Sequence, residues 1–448
     1  MFWGIFEQLK NTELFISMVN QVIFIAEILI AFGILAFSFY KILKYIKLTR
    51  PHSLGNIGKR ITKTLLVAIF QTKIFRRPII GLLHALVFWG FCIILFGSLE
   101  MMVDGVSGNE KSFQFLGPLY PVFLNLIDVF TYIVLLSVVI FLFRRIFLHV
   151  KRFGGAEMKH KSHVDANIAL SLILLLMVTL IGMNIFSSFK EPETAKNSYL
   201  VSSYISSLFS ISDPKVISIG YLINWWSHIT LVFLFMNILP YSKHFHVFMS
   251  VPNVFLSRLE PLGKLPNMDN ITNEVKSMMN PSFVTESTEP AAEIGRFGVK
   301  DIEDVTWKNY LDSLACTQCG RCTASCPANI TGKKLSPRKI MMDVRARMKE
   351  KGPLILKEGK QFNDNKSLLH DYISTEEIWA CTTCNACAQE CPVNINHPEI
   401  IVYLRRYLVM EESAAPSGLN IMFTNIENNG APWQFSPEDR MLWAKDLS

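Results

Sequence analysis

Charged residues are scarce in this chain, at 18% of its 448 positions, against 50% hydrophobic residues and a mean hydropathy of +0.29. That balance and that length exclude a single ordinary soluble domain. A phosphate-binding loop is missing, as is any G-x-G-x-x-G turn at a strand–helix junction, which leaves flavin or nicotinamide chemistry to a partner. No basic patch is interleaved with aromatics, so the formal net charge of +7 is no sign of nucleic-acid binding. Cysteine is sparse over most of the sequence. Of nine in total, eight crowd into two short runs near the C-terminus. The ninth, Cys92, lies in an apolar stretch, where a small packing residue is expected.

The two runs are Cys316-Thr-Gln-Cys319-Gly-Arg-Cys322-Thr-Ala-Ser-Cys326-Pro327 and Cys381-Thr-Thr-Cys384-Asn-Ala-Cys387-Ala-Gln-Glu-Cys391-Pro392. Both follow C-x2-C-x2-C-x3-C-P, a spacing that holds [4Fe–4S] clusters. Three close thiolates cap three irons of one cubane, and the fourth, just ahead of a helix-stopping proline, serves the other cluster. The expected ligand sets are therefore Cys316, Cys319, Cys322 and Cys391 for one cluster, and Cys381, Cys384, Cys387 and Cys326 for the second. Zinc is the rival metal, because C-x2-C pairs also build zinc sites. Structural zinc takes four ligands, however, and accounts for neither the third cysteine of each run nor the repeated C-P ending.

Apolarity is concentrated before about residue 255, and the remainder is charged and punctuated by proline, so two domains follow. Five stretches, 15–40, 79–101, 121–143, 168–188 and 219–239, approach the roughly 20 residues a helix needs to cross a bilayer. The first does not read as a signal peptide. Its apolar core is too long, and Glu7, Lys10 and Glu13 stand where a basic segment would be. Lysine and arginine crowd the connection after the first stretch, from Lys41 to Arg77, and the one after the third, from Arg144 to Lys161. Those loops and the C-terminus are expected on the cytoplasmic side, with the N-terminus outside and the cysteines in a reducing compartment. Residues 256–300 form a linker rich in Pro, Asn, Ser and Thr, and from 301 the pattern is helical around each cysteine run, notably over 336–350 and 398–412.

Ionisable side chains inside a span are costly and are functional candidates. His84 lies near the cytoplasmic end of the second stretch, His228 in the outer half of the fifth, and His244 and His246 just past its cytoplasmic end. Imidazole is the usual axial ligand of a b-type haem held between helices. If the fifth helix ran on past Pro240, His228 and His246 would be 18 residues and about 27 Å apart, at opposite faces. His84 and His246 share one side and could hold one haem. A membrane histidine can equally donate to a backbone carbonyl, and spacing leaves both readings open. His52, His149, His160 and His163 fall in basic loops and are expected to be solvated, while the cysteines leave His370 and His397 no ligand role. Glu27 and Asp128, with Glu100 and Asp104 at the outer rim, either donate protons to a quinone or pair with neighbouring helices.

The stretch Leu83-His84-Ala-Leu-Val-Phe-Trp-Gly90-Phe, and the one running from His228 through Pro240-Tyr241-Ser242-Lys243-His244-Phe245-His246 to Pro252, resemble the second and fifth helices of the cytochrome b subunit of respiratory nitrate reductase. The cysteine runs on a helical frame resemble the iron–sulfur subunit of heterodisulfide reductase. Over nearly its whole length the chain resembles membrane iron–sulfur oxidoreductases that fuse these two modules. The resemblance implies an all-α protein: a five-helix transmembrane cytochrome b-like bundle (1–255), the linker (256–300), a cytoplasmic α-helical ferredoxin domain with two clusters (301–412) and a tail for docking a partner (413–448). It implies haem b between His84 and His246. The family's second haem uses a histidine about ten residues further along the second helix, where this chain has Ile94. His228 thus lacks its partner, and a quinone is the other ligand it can face. Asn428-Asn429-Gly430-Ala431-Pro432-Trp433 resembles the segment that precedes Cys-Cys-Gly domains in larger fusions, yet no Cys-Cys-Gly pair occurs here. A Cys-Cys-Gly or flavoprotein subunit is accordingly expected as a separate redox partner.

The expected function is electron transfer between such a partner and the quinone pool of a bacterial inner membrane, by way of two [4Fe–4S] clusters and haem b, with no catalytic side chain of its own. Two alternatives stand beside it. One is an electron-transfer subunit without a quinone site, and the other is a redox-sensing or energising membrane subunit.

Overall fold

The computed structural model describes residues 2–52, 54–280, 296–434 and 436–445. Its five long helices are α1 (Phe2–Ile46), α2 (Pro78–Ser107), α3 (Leu119–Ile146), α4 (His160–Lys190) and α5 (Pro214–Ile238). The segments Met18–Ile46, Pro78–Ser107, Leu119–Ile146, His160–Lys190 and Pro214–Tyr241 are long and apolar enough to cross a membrane. They match the five apolar stretches and extend most of them at both ends. Pro78 and Pro214 fit a first turn, where no N–H is needed, and the Asp213 side chain accepts the Lys215 N–H at 2.9 Å. Gly108, in the left-handed region at φ 73°, ends α2.

The outside of the bundle is apolar. Leu29, Phe37, Ile79, Leu136 and Ile223 are each more than half exposed, a surface suited to lipid rather than water. Cys92 belongs to this surface. It is exposed, not packed as expected, because the helical period places Gly90, Ile94 and Ser98 on the buried stripe of α2 and turns Cys92 outward. Inside the bundle, fully buried Asp128 accepts from Asn184 Nδ2 at 3.1 Å and from the N–H groups of Val201 and Ser202 at 2.8 and 3.0 Å. It joins α3 to α4 and holds the first turn of the short helix Leu200–Ser207. Of its two readings, pairing with neighbouring helices is the one realised.

The fifth helix does not run straight to His246. It stops at Ile238 and passes through two 3-10 turns, Leu239–Tyr241 and Lys243–Phe245, and a new helix, α6 (His246–Phe255), begins at the histidine. Pro240 has no N–H to continue the ladder, and its ring displaces the carbonyl one turn back. Ser242 then turns extended and its Oγ caps the His244 N–H at 3.0 Å. The straight separation of about 27 Å for a continuous helix therefore does not apply.

The cysteine domain is built on α7 (Trp307–Ala315), α8 (Pro337–Glu358) and α9 (His397–Met410), with short helical turns at each cysteine run. Among the described residues there is no strand, only the isolated bridges Arg50–Thr306 and Leu369–Ile373, so the all-α expectation holds. Arg347 on α8 is fully buried between Asp301 at 2.8 Å and Asp364 at 2.6 Å and ties the start of the domain to its longest helix. Part of the expected linker is structured: Asp269–Met279 is helical, while 281–295 lie outside the described residues.

Both basic connections of the bundle meet this domain. Arg50 pairs with Asp304 at 2.9 Å and exchanges backbone hydrogen bonds with Val305 and Trp307. Arg76 pairs with Glu390 at 2.9 Å. From the other connection, Glu157 receives buried Arg338 at 2.6 Å and Ser336 Oγ at 2.7 Å. Asn253 of α6 bonds Asp312 and the Val393 carbonyl, both at 2.9 Å. One apolar core runs across the joint, from Tyr45, Ala68 and Phe245 to Met341, Ile400 and Leu408.

Truncating Arg338 to Ala strands the Glu157 carboxylate in this joint. The expected cost to docking is about 3 kcal/mol. It should appear as a lower thermal midpoint of the detergent-solubilised protein and faster protease release of the cysteine domain; an unchanged midpoint would mean that the joint is held elsewhere.

Candidate cofactor sites at the joint

The two cysteine runs repeat in conformation as well as in spacing. Gln318 and Thr383 have φ of 56° and 53°, and Gly320 and Asn385 have φ of 72° and 61°. Left-handed residues on both sides of the second cysteine curl each loop around its sulfurs. The Thr383 N–H reaches Cys381 Sγ at 3.4 Å, and the Gln318 N–H bonds Cys316 in the same way. The runs also cross. Cys322 lies in electrostatic range first of Cys319, Cys316 and Cys391, whereas Cys387 lies in range of Cys381, Cys326 and Cys384. The fourth cysteine of each run thus sits with the first three of the other.

Burial pushes the Cys316 thiol up to about 11 and the Cys391 thiol to about 12, and raises Cys322 and Cys387 as well. Such thiols become thiolates only when a cationic centre replaces their protons. Among the described residues no three His, Cys, Asp or Glu side chains close on a single ion. Two sets of four sulfurs, most of them buried and with N–H donors beside them, fit a larger polynuclear centre.

The first run faces the bundle. Gly320 is required there, because a Cβ at its φ of 72° would run into the carbonyl oxygen of Arg152. Beside it Arg321 donates to the Lys73 carbonyl at 3.2 Å, and Lys73 Nζ lies 3.4 Å from the Cys391 carbonyl.

Directly behind this loop is a cavity of about 410 Å³ between the bundle helices. His84, His244, His246 and His228 line it, as do Val87, Phe88 and Phe91; Gln318, Cys319 and Arg321 of the cysteine domain close one end. His84 Nδ1 is buried without a hydrogen-bond partner. His246 is in electrostatic range of His84, its Nδ1 faces the Lys243 carbonyl at 3.4 Å, and burial lowers its pKa to about 4, so that its ring is neutral. A neutral imidazole pair in an apolar chamber suits a flat iron porphyrin. His244 lies beside them, with Nδ1 3.1 Å from Ser242 Oγ and its ring centroid 5.8 Å from that of His246.

His228 is buried further along the same cavity. Its Nδ1 is 3.0 Å from the Leu176 carbonyl, which can only accept, so Nδ1 carries the proton and Nε2 keeps its lone pair. His228 also borders a smaller cavity, of about 70 Å³, lined by Glu100, Asp104, Tyr120 and Tyr199. There buried Glu100 accepts Tyr120 Oη–H at 2.8 Å and the Phe113 N–H at 3.0 Å.

Several features escaped the sequence reading. Arg144, Arg145, Arg152 and Phe153, counted only as loop charge or not at all, line the large cavity. His52 and His163 are partly buried rather than solvated, His52 against the Trp307 ring at 5.8 Å, and burial lowers the pKa of His52. The adjacency of arginine and phenylalanine after the third stretch was the one available signal.

These sites define a class of protein: a helical membrane-type bundle carrying a ferredoxin domain with two cysteine cages. Residues 315–395 match the 4Fe-4S dicluster domain family. The chain is 30% identical over 440 residues to a probable iron–sulfur-binding oxidoreductase, FadF, of Bacillus subtilis, covering 90% of this chain and 57% of that protein. It is 28% identical over 445 residues to the EtfAB:quinone oxidoreductase of Syntrophomonas wolfei, covering 93% of this chain and 58% of the relative. A shorter match, 35% identical over 107 residues, is to a component of the ferredoxin- and F420H2-dependent CoB-CoM heterodisulfide reductase of Methanosarcina acetivorans, and covers 24% of this chain and 52% of that polypeptide. The chain spans less than three-fifths of the length of the first two relatives. No solved structure matches it. By these relationships the chain is similar to iron–sulfur oxidoreductases over most of its length and to a heterodisulfide reductase subunit over its cysteine domain.

Gly320→Ala should loosen the contact between the first cysteine run and the 151–157 loop, with increased proteolysis at that loop. Asn385→Gly, at the equivalent position of the second run, should leave the digestion pattern unchanged.

Proposed function

We propose that this chain is a membrane electron-transfer oxidoreductase that exchanges electrons between a soluble redox partner and the quinone pool. The observation that carries the reading is the shared wall: the loop holding Cys319 closes the cavity lined by His84 and His246. A cysteine cage and a paired-histidine pocket separated by one loop make sense as neighbouring stations for single electrons. Cys316, Cys319, Cys322 and Cys391 would hold one [4Fe–4S] cluster, Cys381, Cys384, Cys387 and Cys326 the other, and His84 with His246 a b-type haem. When bound, these groups supply one-electron chemistry. The residues of the chain supply buried neutral imidazoles, N–H donors to sulfur and an apolar chamber that excludes water.

Both basic connections touch the cysteine domain, so the two lie at one end of the bundle, and the excess of lysine and arginine there supports a cytoplasmic face in a bacterial inner membrane. The name of the Syntrophomonas relative favours quinone as the membrane-side substrate. His228 Nε2, with its free lone pair, and the Glu100–Tyr120 pair at the far end offer a place for a quinone head group to exchange protons. A separate polypeptide with flavin or Cys-Cys-Gly chemistry would deliver or receive the electrons.

The test is a visible spectrum of the purified protein before and after dithionite, with haem and iron quantified. About eight non-haem irons and one b-type haem per chain are expected. His84→Ala and His246→Ala should each lose the haem and keep the iron, and Cys391→Ser should lose about four irons. Iron without haem in the parent protein would sink the haem and leave a ferredoxin on a membrane anchor.

A further inference from the structure

The arginines in the wall of the large cavity have more hydrogen-bonding capacity than the protein uses. Arg145 donates from Nε to Asn167 Oδ1 at 2.9 Å, but its Nη2 is buried with no acceptor. Arg152 Nε is buried without an acceptor too. The two guanidiniums, with that of Arg144, surround the Phe153 ring at 5.3, 5.0 and 5.6 Å from its centroid. Asp165, the carboxylate facing Arg145, is occupied by the Lys243 N–H at 3.0 Å. Burial lowers Arg152 to about 10, and Arg77, Arg144 and Arg321 add to the effect, with Cys319 the negative group set against them.

An unsatisfied buried guanidinium N–H costs as much as a lost charged hydrogen bond, and several cations gathered around a single carboxylate already bonded elsewhere cost more. The arrangement becomes favourable once an anion enters from the cavity side. The cavity suits an anion with a broad apolar body among Val87, Phe88 and Phe91, facing the imidazoles of His84 and His246, and with a negatively charged edge at the arginines. A neutral quinone has no such edge.

We infer that Arg145 and Arg152 form an anion site that takes the carboxylate edge of the porphyrin held by His84 and His246. Fork-shaped guanidiniums suit carboxylates because each offers parallel N–H donors. The inference rests on the haem reading above and adds to it a pair of positioning residues that also set the charge felt by the iron.

The test uses full-length protein freed of haem in detergent and titrated with haemin or with its dimethyl ester, which lacks the carboxylates. The parent should bind haemin at least about tenfold more tightly than the ester. In the Arg145→Gln/Arg152→Gln double variant that preference should vanish, with ester binding unchanged and the iron–sulfur content of the parent retained as proof of folding. Arg152→Lys should restore part of the preference. In redox titrations the haem of the double variant should have a lower midpoint potential with an unaltered absorption spectrum, since removing nearby positive charge favours the ferric state. Equal binding of ester and haemin by the parent, or a preference that survives in the double variant, would overturn the assignment. A parent that takes up neither porphyrin would overturn the haem reading itself, and this assignment with it.

Discussion

The buried pairing of Arg338 with Glu157 is the interaction on which the geometry of the joint depends. Arg338 also donates to the carbonyls of Arg152 and Gly154 at 2.8 and 2.6 Å. One side chain from the cysteine domain therefore fixes a whole turn of the bundle's loop, and that turn carries Arg152 and Phe153 into the cavity wall. A buried ion pair is seldom a net source of stability compared with apolar packing. Its use here is to set position, because a guanidinium with four donors directed at particular acceptors allows one arrangement of loop and domain, whereas the apolar core around Tyr45 and Phe245 would tolerate small slips.

The polar interior of the bundle divides along the same physical line. Asp128 is saturated: every acceptor direction is filled by Asn184, Val201 and Ser202, so it acts as a rivet between helices. Glu100 is also buried and hydrogen-bonded, but it borders an internal space that it shares with His228. A saturated carboxylate and one facing a cavity look alike in a sequence, since each is a single acid in an apolar helix.

Much of the architecture was legible because it is written in local patterns. Five apolar stretches became five helices, and the repeated spacing of the cysteines reappears as a repeated loop conformation. His84 and His246, expected on one side from loop charge, line the same cavity. Other features depend on contacts between distant segments, which no local pattern records. The break after Ile238 moves His246 onto a new helix and lets His228 share its cavity, even though Pro240 was visible as a possible stop. Cys92 was misplaced because an apolar neighbourhood in sequence does not distinguish the inside of a membrane bundle from its lipid face. The cavity arginines were hidden by their other role, as the loop charges that orient the chain.

The glycine of the first cysteine run has a further consequence. Gly320 and Asn385 occupy equivalent places in two nearly identical loops and share the same backbone twist, yet only the glycine admits the approach of another backbone. The first run is thereby committed to the bundle. The second run meets the bundle through side chains instead, Arg76 on Glu390 and Lys73 beside the Cys391 carbonyl, and its Cys384 remains open to solvent. A duplicated motif with no inherent polarity thereby has two different faces: the glycine copy packs backbone to backbone on the bundle's loop, while the asparagine copy keeps one sulfur in the open.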